Sequence, residues 1–304
     1  MSDSAPLVAE FTKYAEMIRA AMANPPLFAT EAESATALQV ERGIVFPAAL
    51  VDQARFDQTP AHRLFELATS PRLSSVAVVD RTGHHRPAYR GLLVYSCLQA
   101  FSIMYETLPR SDFGRWEEGL RPWCDLLESD LGQIETLLGP IPAGRGSTAT
   151  EAAWIALALH VAGKIFIRDA WTDLASDFFG KLCRAQTPSG TFLTARSSDN
   201  PETHWYHELL LLHAAASYAV QSEDRTVAAA VAKNAEFHQN ETQPDHATNQ
   251  PWALFAFIWN PRTRPLAEQI LHTALIQNSN SPSGITLMLL ADALYCLELF
   301  TKSS

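Results

Sequence analysis

The alternation of two kinds of helical segment after Pro87 constrains this chain more than any other feature. Segments that are apolar on every side fall at 91–105, 149–167, 209–220, 252–259 and 285–300. Between them lie 113–138, 170–185, 225–238 and 265–276, which keep an apolar stripe but carry charge on the opposite face. A helix that is apolar all round must be enclosed by protein, whereas one with a polar face can border water. Strict alternation therefore predicts antiparallel helical hairpins, with one helix of each pair buried and the other solvated.

Two architectures satisfy this pattern: an open solenoid, or hairpins closed into an α/α toroid, complete or as an incomplete barrel. The buried segments recur at roughly 35 to 60 residues, too unevenly for the fixed period of a consensus solenoid, and this favours the toroid. Connections from a buried to a charged segment are short (108–112, 168–169, 221–224, 260–264), and those returning are long (139–148, 187–203, 239–247, 277–284). In a toroid all the long loops open on one mouth, where the inner helices begin. Long loops on a rigid scaffold carry function, and helix N-termini bring free N–H groups and positive dipole ends there.

Ahead of Pro87 the pattern is less regular. Leu7, Phe11, Tyr14, Ile18 and Met22 recur at helical spacing and predict one amphipathic helix over 6–22, ended by Asn24-Pro25-Pro26. Residues 27–87 read as short helices at 31–41, 48–56 and 61–69 and a β-like run at 75–79, closed by the turn Asp80-Arg81-Thr82-Gly83. This segment either completes the ring or lies over it as a lid. The expectation is a single all-α domain spanning 1–304.

The loop PSGTFLTARSSDNPET runs into the polar cluster His204, Trp205, Tyr206, His207 and Glu208. His204 shares a helical face with His207 and Glu208, three and four residues on. One reading is acid/base chemistry, with a histidine or Tyr206 abstracting a proton and a neighbour protonating a leaving group. A second is a metal site, adding Asp245 or His246 from the next long loop. A third is a capped helix start, with Thr203 as N-cap and the rings packing the loop. No HExxH-type signature is present, so no metal is expected.

The next long loop, PDHATNQPWALF, brings Asp245, His246, Asn249, Gln250 and Trp252 to the same mouth. Asparagine and glutamine at a helix start suit sugar hydroxyls or a substrate carboxylate, and tryptophan offers a stacking face. The same residues also suit a Thr248 or Asn249 cap, with Pro251 in the first turn and Trp252 in the core. Glu208 and Asp245 would form the carboxylate pair of glycoside hydrolysis. An eliminating enzyme would instead use histidine or tyrosine with a cation such as Arg145 or Arg196. The expected site thus comprises His207, Glu208, Tyr206 and Asp245 as catalytic groups. His204, Trp205, His246, Asn249, Gln250, Trp252, Arg145 and Arg196 are its ligand contacts.

The helical alternation, together with PSGTF followed by HWYHEL, resembles the α/α-toroid carbohydrate-active enzymes: six-hairpin glycosidases and toroid polysaccharide lyases. The resemblance covers roughly the C-terminal two-thirds of the chain. It implies an oligosaccharide ligand that is cleaved, by hydrolysis or elimination, or bound. The alternative reading is a non-catalytic helical scaffold or ligand-binding module.

Other features set limits. A formal charge of −10 argues against nucleic acid or an anionic membrane as partner. Neither a GxxxxGK[ST] loop, a Rossmann fingerprint nor a GxSxG elbow occurs, so no cofactor is expected. The four cysteines form no CxxC pair, and the N-terminus lacks a signal-peptide pattern, which fits a reduced cytoplasmic protein. His160 and His213 read as hydrogen-bonded core residues, Asp292 as a buried carboxylate that must be paired, and Trp116, Trp123 and Trp171 as packing between layers. Oligomeric state leaves no mark on the sequence.

Overall fold

The computed structural model describes residues 5–22, 33–34, 37–39, 77–79, 87–104, 110–138, 146–194, 201–241, 251–277 and 284–303. Among them the helices are α1 (Ala5–Met22), α2 (Pro87–Met104), α3 (Arg110–Leu138), α4 (Gly146–Phe166), α5 (Asp169–Ala185), α6 (Pro201–Ser222), α7 (Arg225–Glu241), α8 (Leu254–Trp259), α9 (Arg264–Gln277) and α10 (Gly284–Ser303). Among the described residues the fold is all-α apart from a minimal sheet. In it β1 (Glu33–Ser34) pairs antiparallel with β2 (Ala37–Gln39), and β2 pairs parallel with β3 (Ala77–Val79). Strands therefore stand where a helix was expected over 31–41; the short apolar run at β3 supplies the partner that local periodicity cannot reveal. The helices expected over 48–56 and 61–69 lie outside the described residues.

The predicted division of labour holds in the burial pattern. Every residue from 152 to 163 in α4, and from 208 to 219 in α6, is buried. On α5 only Trp171, Ala175, Phe178, Phe179 and Leu182 are buried, a single stripe at helical spacing. By length and composition the stretch Thr148–Phe166 would cross a membrane, but 78% of its apolar window is buried inside the protein. It is a core helix.

The buried helices follow one another in space as they do in sequence: α2 packs on α4, α4 on α6, α6 on α8 and α8 on α10, which also touches α6. The charged-face helices lie against this set, α3 and α5 on α4, α7 on α6, and α9 on α8. α4 and α6 run parallel, because Thr150 and His207 meet near their beginnings while the Lys164 ammonium donates to the Gln221 carbonyl near their ends. α2 approaches α4 so closely that a Cβ at Gly91 would lie 2.8 Å from backbone atoms of Trp154 and Ile155. α1 packs on α10 and also meets α9, through Glu10 with Arg264 and Tyr14 with Glu268.

Candidate functional site

α6 begins at Pro201, well before the apolar run at 209–220, so the polar cluster occupies its first two turns. Thr203 lies inside the helix and is not its cap. Successive residues point about 100° apart, and α6 is buried on every side only from 208 to 219, so the cluster is divided between neighbouring helices, the preceding loop and a half-buried face.

His204 and Trp205 turn toward α7. The Trp205 ring lies 5.5 Å from that of Phe237 and 5.9 Å from that of His238. Burial, and then the nearby His204, drive the His238 imidazole down to about 3, so the His238 ring is uncharged at neutral pH. The geometry gives His204 and Trp205 packing contacts with the neighbouring helix.

Glu208 turns toward the preceding loop and is fully buried. Its Oε1 accepts from the Phe192 N–H at 2.5 Å and the Asn234 amide at 2.6 Å, and its Oε2 accepts from the Leu193 N–H at 2.9 Å. The Gly190 carbonyl accepts from Asn234 and Gln186. Gly190 is irreplaceable on two counts: its φ is +109°, and a Cβ would meet the Lys233 carbonyl oxygen at 2.9 Å. Burial pushes the Glu208 carboxyl up to about 7, against the three donors that pull it down. The side chain expected to be catalytic thus holds the GTF loop in place, with its oxygens committed to protein donors. His204 and Glu208 do share a face, as their spacing requires, but that face meets protein.

Tyr206 and His207 have a different environment. Both are half-buried, with the His207 Nδ1 lying 3.2 Å from the Thr150 hydroxyl of α4. The Tyr206 ring stands edge-on to Trp252, 5.9 Å away. Trp252 precedes α8 and is only 2% exposed, packed also on Trp154 and His213. It backs Tyr206 from the core, so the stacking face expected of it is covered. Asp245, His246, Asn249, Gln250, Arg145 and Arg196 lie outside the described residues. Among the described residues no group of three His, Cys, Asp or Glu is placed to hold a metal ion.

Deeper between the buried helices is a polar knot that the sequence only hinted at. Asp292 of α10 accepts four hydrogen bonds: from the Tyr95 hydroxyl (2.7 Å) and the Gln99 amide (3.0 Å) of α2, and from the Ser217 hydroxyl and His213 Nε2 (both 2.6 Å) of α6. Gln221 and Gln99 both donate to the Tyr95 oxygen. These donors outweigh the penalty of complete burial and hold the Asp292 carboxyl below its ordinary value. Asp292 and His213 are paired core residues, as read from the sequence. Their partners Gln99 and Ser217, and Thr150 at His207, escaped notice. Their one signal is a polar residue at a buried position of an apolar helix, which calls for a partner.

Compared with known protein families, curated proteins and solved structures, this chain matches none of them.

Proposed function

We propose that the buried helices close into an α/α toroid and that the protein takes an oligosaccharide at the end where α4 and α6 begin, with Tyr206 and His207 as its acid/base groups. The toroid is supported by the contact order of α2, α4, α6, α8 and α10 and by the bonds from Asp292 on the last of these to Tyr95 and Gln99 on the first. The observation that carries the site is the Thr150–His207 contact beside the half-buried Tyr206. It fixes the imidazole at Nδ1, so that proton transfer at this residue runs through Nε2. With Glu208 committed to the GTF loop, the elimination form of the chemistry is favoured over two-carboxylate hydrolysis.

The test is incubation with uronate-containing polysaccharides, following the absorbance of unsaturated products. Turnover that disappears in His207→Ala and Tyr206→Phe, with the fold retained, supports the proposal. Silence across acidic and neutral glycans, with no binding by calorimetry, removes it. A second reading, a non-catalytic ligand-binding module, is favoured by one specific observation: the buried carboxylates Glu208 and Asp292 are both fully engaged in internal hydrogen bonds. That reading predicts glycan binding without product. In either form the ligand is a small molecule or oligosaccharide, and a reducing, cytoplasmic setting suits the four free cysteines.

A further inference from the structure

Ala253 is the residue immediately before α8, and its φ of 56° places an L-amino acid with a Cβ in the left-handed region. Such a conformation is unfavourable for a residue with a Cβ, so something nearby must hold it. Its own N–H donates to the His213 Nδ1 at 3.0 Å. A ring nitrogen that accepts a hydrogen bond carries no proton. The opposite nitrogen, Nε2, lies 2.6 Å from the Asp292 carboxylate, an acceptor, and must therefore carry one. The two contacts define a single tautomer, neutral and protonated at Nε2. Both His213 and Asp292 are sealed from solvent, at 3% and 4% exposure.

The geometry points to His213 as a positioning residue for the Tyr206–Trp252 wall. Asp292 selects the tautomer, the tautomer presents a lone pair to Ala253, and the held Ala253 N–H fixes the left-handed turn that seats Trp252. The Trp252 ring is in turn packed against His213 itself, Trp154 and Tyr206 at centroid distances of 5.8, 6.4 and 5.9 Å. Asp292 thereby determines the shape of the chain at residue 253, in the turn ahead of another helix, through one imidazole. The inference rests on the proposed function only in treating Tyr206 as ligand-facing; the latch is a property of the folded chain with or without a ligand.

The test begins with the full-length protein labelled with ¹⁵N in histidine. One-bond N–H coupling is expected at Nε2 of His213 and none at Nδ1, and the Ala253 amide is expected among the slowly exchanging ones. A proton on Nδ1, or fast exchange at Ala253, overturns the inference without any variant being made. Two substitutions then separate positioning from simple packing. His213→Asn keeps an acceptor near the Nδ1 position, and His213→Gln keeps a donor near the Nε2 position. Ala253 exchange at least about tenfold faster in the Gln variant than in the Asn variant, with the Trp252 indole resonance shifted only in the former, is the expected result. Equal behaviour of the two variants overturns it. Glycan binding that fails in every form, with the tautomer and exchange as expected, counts against the proposed function and leaves the latch standing.

Discussion

The Tyr95 hydroxyl donates to Asp292 Oδ1 at 2.7 Å across 197 residues of sequence, joining the first of the buried helices after Pro87 to the last. Asp292 is the point at which α2, α6 and α10 are tied together, and each bond is made where water cannot substitute for it. Removing the carboxylate by Asp292→Ala strands four donors and is expected to cost roughly 3–5 kcal/mol. Tyr95→Phe removes one donor of four and is expected to cost about 1–3 kcal/mol. Urea unfolding of the two variants beside the parent checks the order. A Tyr95→Phe protein less stable than Asp292→Ala would mean that the Tyr95 hydroxyl, which also accepts from Gln99 and Gln221, and not the carboxylate, organises this centre.

The same group contributes to the acid sensitivity of the fold. Its carboxyl lies below the ordinary 3.8 because the donors prefer the ionised form. The unfolded chain therefore binds a proton at a pH where the folded one does not. Its stabilising contribution is complete above the ordinary value and is lost as pH falls below it toward the folded one. Asp292→Asn should flatten this part of the acid-unfolding profile while lowering stability at neutral pH.

Glu208 has the opposite sign. Its carboxyl rises from 4.5 to about 7 on burial, so between those values the folded protein holds a proton that the unfolded chain has released. This group's contribution declines as pH increases from 4.5 to about 7 and is constant outside that window. Midpoints of urea unfolding, measured across the window for the parent and for Glu208→Gln, should converge as pH rises. The substituted amide would also point its own N–H groups at backbone donors, loosening the segment between Thr187 and Leu193 to proteolysis.

Gly91→Ala places a methyl 2.8 Å from the backbone of Trp154 and Ile155. Backbone cannot step aside as a side-chain tip can, so α2 and α4 must separate. The expected loss is about 1–3 kcal/mol, the range for overpacked cores, in spite of alanine's better helix propensity. A thermal shift upward would show that the two helices are not held at this distance.

Burial pushes the Cys97 and Cys124 thiols up to about 12 and Cys183 to about 11, and Cys296 lies well above its usual value. Thiolate is the reactive form, so a disulfide reagent should titrate the native protein slowly. Cys183, the one only half-buried, should react first and all four rapidly in denaturant.

The helices were legible because burial writes itself into composition: α4 and α6 have no polar stripe, and α5 has one. Read in isolation, His204–Glu208 look like the solvent-facing first turn of a helix capped at Thr203, whereas α6 already begins at Pro201. Two of those side chains, His207 and Glu208, are instead satisfied from elsewhere in the chain, by Thr150 and by Phe192, Leu193 and Asn234. Spacing says which residues share a face and is silent on what that face meets. The strands at Glu33–Ser34 and Ala37–Gln39 escaped for a related reason, since β2 pairs with residues 40 positions away.

α1 shows what the same long-range dependence means for a chain made from one end. Its apolar face, with Phe11, Tyr14 and Ile18, is covered by α10 and α9, and its ion pairs and hydrogen bonds reach Arg264, Glu268 and Glu298. Partners 254 residues downstream do not exist when this helix leaves the ribosome. Until α9 and α10 have been made, it is an amphipathic segment whose apolar side lacks these covers. Its docking therefore waits for α9 and α10, and the local fold of α1 is completed from the far end of the sequence.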